Sequence, residues 1–285
     1  MSPALRRILV ALDTSAGSRA ALRRAAELAQ RIDAEMSGLF VQDENLVQLA
    51  ALPFARELSA SGGAGRSLSP DAMQRELDRQ ALLLQEELQA IAAVLDLRWS
   101  FQTRRGRVVR EIADAFAGHN LLVIGRAGMQ PGYRRLGSTA RNLLSQSGFP
   151  VMLIGPARVS VERVLAVVDH SSTANRVMRR ALELTSPDHP LQVLACVARR
   201  EELAPLELML RELAAPSAIE IHALVDGNGQ ALMECVLRIA PTMLVVGQSE
   251  RLDPVALEAL AWRIDGAILR IPDPGSAPAG RKQRR

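Results

Sequence analysis

The residues from Leu121 to Thr139 carry the densest concentration of chemistry in the chain. A short apolar run, Leu121-Leu122-Val123-Ile124, breaks into Gly125-Arg126-Ala127-Gly128 and continues through Gly132 to Gly137, Ser138 and Thr139. Glycines let a backbone approach a ligand closely and take positive φ, and a helix beginning just after them offers unpaired N–H groups to an anion. Ser138 or Thr139 can cap that helix and donate a hydroxyl to a phosphate. Arg126, Arg134 and Arg135 add guanidinium groups suited to phosphate oxygens. The pattern fits a phosphate cradle. It equally fits a tight strand-to-helix turn that holds no ligand, with its arginines in solvent. Gly132-x4-Gly137-Ser138-Thr139 also misses the nucleoside-triphosphatase loop: Ser138 stands where that loop has its lysine, and the loop follows the fourth strand of its unit, not the first.

Other chemistries lack their residues. His119, His170, His189 and His222 form no pair at helical spacing beside an acid, which excludes the helical zinc motif. His170 sits between Asp169 and Ser171, but neighbouring side chains point apart and do not make a triad. No Gly-x-Ser-x-Gly elbow occurs. Asp13 can orient a sugar hydroxyl or hold Mg²⁺, but a single carboxylate is not an acid/base pair. The expectation is a binding protein, not an enzyme.

The elements that position the loop alternate. Ile8–Leu12 reads as a strand buried on both faces, stopped by Asp13-Thr14-Ser15. Leu22, Ala25, Ala26, Ala29 and Ile32 then form one apolar helical stripe. A second strand, Met36–Val41, completes a βαβ unit with a right-handed crossover. Residues 43–70 read as an irregular insertion, a flap or a docking surface. After it the spacing predicts a helix over Pro70–Val94, a strand over Trp99–Thr103, a helix over Val108–Ala117, a strand over Leu121–Ile124, a helix over Ser138–Gln146 and a strand over Val151–Ile154.

The same sentence then begins again. Arg7–Ala29 aligns without a gap on Arg163–Thr185, offset by 156 residues, with nine of 23 positions identical. Asp13 matches Asp169, Ser15 matches Ser171, and Arg23-Arg24 matches Arg179-Arg180. A repeat of this length marks a duplicated unit. The expected organisation is an N-terminal domain over residues 1–156, a second over 157–274 and a disordered basic tail over 275–285. The fold class is α/β, two doubly wound parallel five-stranded sheet domains of Rossmann-like type in tandem.

This arrangement resembles the universal stress protein family: Asp after the first strand, Val ending the second, Gly-x2-Gly, a spacer, Gly-Ser before a helix, then Pro-Val and an apolar strand. The resemblance implies an adenine nucleotide, ATP with Mg²⁺, as cofactor. It implies that Asp13 and Val41 contact the adenosine part and that Gly125, Gly128, Gly137 and Ser138 hold ribose and phosphates. Arg126 and Thr139 join that set as further phosphate contacts. The spacer from Gly128 to Gly137 is eight residues where the family motif has nine, and it includes Pro131. In the second unit Gly247 is followed by Gln-Ser-Glu-Arg-Leu-Asp-Pro, with no second glycine and no Gly-Ser. That unit is expected to be degenerate and to pack on the first as a pseudo-dimer, through Val151–Ile154 and Ala267–Ile271; a further homodimer is left open. A nucleotide-free interaction module of the same fold is the alternative reading.

Composition bounds the rest. The formal charge of +4 is matched by Arg281, Lys282, Arg284 and Arg285 in the tail, and aromatics at 3 % offer no base-stacking platform. A nucleic-acid partner is therefore not expected. No apolar run reaches the ~20 residues that span a bilayer, and Cys196 and Cys235 lack metal spacing, so a cytoplasmic protein with two buried thiols is expected.

Overall fold

Continuous runs of Val, Leu, Ile and Ala present no polar face to water, so each must be covered on both sides. The computed structural model describes residues 5–52, 56–57, 66–67, 69–126, 129–130, 133–134, 136–155, 163–186, 188–248 and 252–273. In it these runs form ten strands: β1 Arg7–Leu12, β2 Glu35–Asp43, β3 Trp99–Gly106, β4 Leu121–Gly125, β5 Val151–Ile154, β6 Val164–Val168, β7 Leu191–Val197, β8 Ile219–Val225, β9 Met243–Val246 and β10 Ala267–Arg270. Between them run α1 Ala16–Arg31, α2 Glu44–Ala50, α3 Pro70–Leu95, α4 Val108–Ala115, α5 Ser138–Gln146, α6 Ala174–Leu184, α7 Leu203–Ala214, α8 Gly229–Ile239 and α9 Pro254–Arg263. The described residues of the insertion add α2 and a two-residue antiparallel pair, Arg56–Glu57 with Arg66–Ser67. The basic tail lies outside the described residues.

The strands make one ten-stranded sheet, in the order β8-β7-β6-β9-β10-β5-β4-β1-β2-β3. Each half therefore has the same doubly wound order, its third and second strands to one side of the first, its fourth and fifth to the other. Every pairing within a half is parallel. Only β5 with β10 is antiparallel, pairing Val151 with Arg270, Met152 with Leu269, Leu153 with Ile268 and Ile154 with Ala267.

Alternation along each strand divides the core into two layers. Ile8 and Val10 face α1 and α3, burying Leu22, Ala26, Leu84 and Leu88. Leu9 faces the other way, toward Ile112 of α4 and Leu143 of α5. Each such side chain contributes roughly 1.5–3 kcal/mol on burial. Helix starts follow cap chemistry: the side chains of Ser15, Ser69, Asn228 and Asp253 accept N–H groups at the starts of α1, α3, α8 and α9. Cys196 is buried in β7, whereas Cys235 is only partly buried on α8, a departure from the two buried thiols expected.

The β5·β10 junction has a simple register. Ile124 and Val246 each precede the glycine at the end of a fourth strand, and they pair with Leu153 and Arg270. Met152 and Leu269 therefore hold the same position in their halves, and they pair with each other. Like meets like, as in an isologous contact. Beside it, three arginines reach from one half to a helix C-terminus of the other. Arg126 Nη2 donates to Ile264 O at 2.8 Å, just past α9. Arg270 Nη1 donates to Ser147 O at 2.9 Å, just past α5. Arg31 Nη2 donates to Leu184 O at 3.0 Å, the last residue of α6. Cations are favoured at that end of a helix, and each bond occupies a carbonyl that the helix cannot satisfy.

Arg126→Met and Arg270→Met each strip a buried carbonyl of its charged partner. Each should lower the free energy of urea unfolding by about 1–3 kcal/mol, whereas exposed Arg23→Met should change it by less than about 0.5 kcal/mol.

Candidate functional site

A cleft of about 260 Å³ opens at the C-terminal ends of β1, β2 and β4. This is the place where the strand order of the first half reverses, the usual ligand crevice of an open α/β sheet. Its wall includes Asp13 and Ser15 after β1, Val41 in β2, Val108 and Ile112 of α4, and Gly137, Ser138 and Thr139 at the start of α5.

Asp13 is positioned by its own turn. Its Oδ1 accepts the Ser15 N–H at 2.8 Å, and its N–H donates to Ser18 Oγ at 2.8 Å. Ser15 Oγ in turn accepts the Ser18 N–H at 3.1 Å, starting α1. This leaves Asp13 exposed at the cleft's rim, with no hydrogen bond to Oδ2 among the described residues. Apolar surface faces it: Val41 is half-buried, and Val108 and Ile112 fall one helical turn apart on α4.

The start of α5 differs from the capped helices. Its N-cap is Gly137, with no side-chain cap bond and no acid in the first turn. The first N–H groups of α5 border the cleft with no acid in the helix's own first turn, and Ser138 and Thr139 add two hydroxyls beside them.

Six of the eight residues expected to bind nucleotide thus come together around one cleft: Asp13, Val41, Gly125, Gly137, Ser138 and Thr139. Gly128 lies outside the described residues. Arg126 does not join them. It is buried at 6 % exposure, turned from the cleft toward the second half, where its guanidinium lies 5.5 Å from the centre of the Trp262 ring. Burial pulls its pKa below the usual arginine value, and nearby Asp265 partly offsets this. An arginine beside a glycine loop reads as a phosphate ligand; here the seam between the halves claims it.

Gly125 has its own explanation. A Cβ there would collide with the carbonyl of Gly17 and the amide nitrogen of Ser18. The close approach of α1 to the end of β4 demands the glycine, whatever else the cleft holds. Sequence reasoning missed the wall formed by Val108 and Ile112, although their i,i+4 spacing after a strand signals an inward helix face.

The second half differs at the corresponding glycine. Gly247 ends β9 as Gly125 ends β4, but Thr173 occupies the position of Gly17, 156 residues on. Its side chain lies against Gly247, and the space beside it shrinks to about 10 Å³. Asp253 places its carboxylate on the first turn of α9, accepting the Ala256 N–H at 2.6 Å. A broad depression of about 870 Å³ opens at the C-terminal ends of β6 and β7, lined by Asp169, Ser171, Val197, Asn228 and Gly229.

Gly125→Ala should cost about 2–4 kcal/mol in chemical unfolding with no ligand present, because backbone must move. Gly137 has φ −56° and ψ 151°, open to any residue, so Gly137→Ala should cost about 1 kcal/mol or less.

A profile of the universal stress protein family matches residues 4–155, a little over half of the chain. No curated protein sequence matches. Among solved structures, the chain is similar to a universal stress protein from Archaeoglobus fulgidus DSM 4304, at 18 % identity and a TM-score of 0.74, covering 95 % of this chain and 100 % of that one. It is also similar to a functionally unknown protein from Pseudomonas aeruginosa PAO1, at 16 % identity and a TM-score of 0.56, covering 95 % and 93 %. A putative universal stress protein from Pseudomonas aeruginosa UCBPP-PA14 shares 16 % identity with a TM-score of 0.54, covering 94 % of each chain. Among the described residues no helix is long and apolar enough to cross a membrane. The profile match, over the half that carries the cleft, places this chain in the universal stress protein family.

Proposed function

We propose that the first half binds one adenine nucleotide, ATP with Mg²⁺, and that the second half has lost its site and packs on the first as a pseudo-dimer partner. On this reading the protein is a nucleotide-dependent regulator in the stress response and not an enzyme. The observation that carries it is the uncapped N-terminus of α5, opening onto the same cleft as Asp13. A helix N-terminus with no side-chain cap, two hydroxyls and no acid in its own first turn suits phosphate oxygens. The face of Val41, Val108 and Ile112 suits a flat apolar base, and the unengaged Oδ2 of Asp13 suits a ribose hydroxyl. The second half differs at its glycine end: Thr173 packs on Gly247, and Asp253 puts a negative charge on the helix start. Family membership adds to this without deciding it.

The duplicated aspartates supply an internal control. Asp13→Ala should weaken ATP binding by about ten- to a hundredfold in calorimetry, the loss of a hydrogen bond to a charged group, about 1.5–3 kcal/mol. Asp169→Ala should leave the affinity unchanged. Equal losses would mean that both crevices are used. No loss from Asp13→Ala, in a chain that binds ATP, would put the nucleoside elsewhere.

A further inference from the structure

The backbone that delivers the start of α5 is held from the second half. Glu258 of α9 accepts the Leu136 N–H through Oε1 at 3.0 Å and pairs through Oε2 with Arg141 Nε at 3.1 Å. Arg141 Nη2 donates to the Leu136 carbonyl at 3.2 Å and to Glu258 Oε1 at 3.3 Å. Both backbone polar groups of Leu136 are thus engaged by one ion pair that spans the halves. The Leu136 side chain is itself buried, 3 % exposed, and the next residue is Gly137, the bare N-cap of α5. Glu258 and Arg141 stand at matching places on their helices, six residues before the C-caps Ile264 and Ser147. The junction brings these two positions together with opposite charges.

We infer that Glu258 is a positioning residue for the cleft of the other half: it fixes the end of the glycine loop, so that the seam between the halves and the anion site at α5 are energetically coupled. The inference rests on the nucleotide reading of the cleft. Gly137 has no side chain, Arg141 of the first half engages the Leu136 carbonyl but not its N–H, and among the described residues the carboxylate on that N–H comes from 122 residues away. The second half then has a role beyond packing, because the loop that faces the ligand is incomplete without it. Coupling of this kind is reciprocal: a ligand that orders α5 and its loop tightens the seam.

The sign of the effect separates positioning from charge. Removing a carboxylate near an anion site and freeing Arg141 would, on electrostatics alone, tighten the binding of a triphosphate. Positioning predicts the reverse. In the full chain, Glu258→Ala should weaken ATP·Mg²⁺ binding about tenfold, within the usual range of coupling, and should raise hydrogen exchange at the Leu136 amide. Glu258→Gln keeps an acceptor for that N–H and should stay within about threefold of the unsubstituted chain. Unchanged or tighter binding by Glu258→Ala overturns the inference, as does unchanged exchange at Leu136. If the unsubstituted chain takes up no ATP, the nucleotide reading falls. The hold on the loop is then judged by exchange at Leu136 alone, with a rise in Glu258→Ala supporting it and no change overturning it.

Discussion

The antiparallel pairing of β5 with β10 is the constraint from which most of this molecule follows. All other strands in the sheet run parallel within their half, so their C-terminal ends lie together along one edge of that half. Reversing direction at one junction sets the strand ends of the first half beside the strand starts of the second. Arg126, just past β4, therefore meets the turn between α9 and β10. Arg270, at the end of β10, meets the turn between α5 and β5. Each helix that enters the junction ends at a carbonyl with no partner of its own, and each finds a guanidinium from the opposite half. Such a charged bond in a dry seam is costly to leave unmade, so the two halves hold one register.

The two crevices differ at their glycine ends. Duplicated units begin alike, and Asp13 and Asp169 keep the same turn, each accepting the N–H two residues on. What differs is small. Thr173 in place of Gly17 adds the atoms that fill the space beside Gly247, and Asp253 supplies the cap that Gly137 cannot. A capped helix start is the more stable local solution by about 1 kcal/mol. The first half forgoes it, and its start of α5 is steadied instead by Glu258 across the seam.

Much of this was legible in the residues. The strand β5 and the helix α5 fall on the bounds that hydrophobic runs and turn residues predict, and other first-half elements shift by a residue or a few at their ends, because apolar periodicity reports burial directly. Part of the cleft's membership was also legible: Gly137, Ser138 and Thr139 from the loop itself, Asp13 and Val41 through the family resemblance, and all five line one cleft. Two kinds of information were not. Helix α2 is short, started by Asp43, with Ala50 its one buried residue, so it carries no periodic signal strong enough to stand out from the insertion around it. Arg126 and Glu258 serve partners 138 and 122 residues away. Nothing local to an arginine beside glycines, or to a glutamate on a surface helix, encodes such a destination. The reason for glycine at 125 was hidden in the same way, since it lies in the backbone of Gly17, not in the loop.

Asymmetry is the central claim: we propose one nucleotide site per chain, in the first half, with Thr173 against Gly247 and Asp253 on the start of α9 marking the lost one. Native mass spectrometry of the full chain, saturated with ATP and Mg²⁺, reads that asymmetry directly as added mass. One nucleotide per chain is the predicted result. Two per chain would contradict the loss of the second site, and none would contradict the assignment of the first.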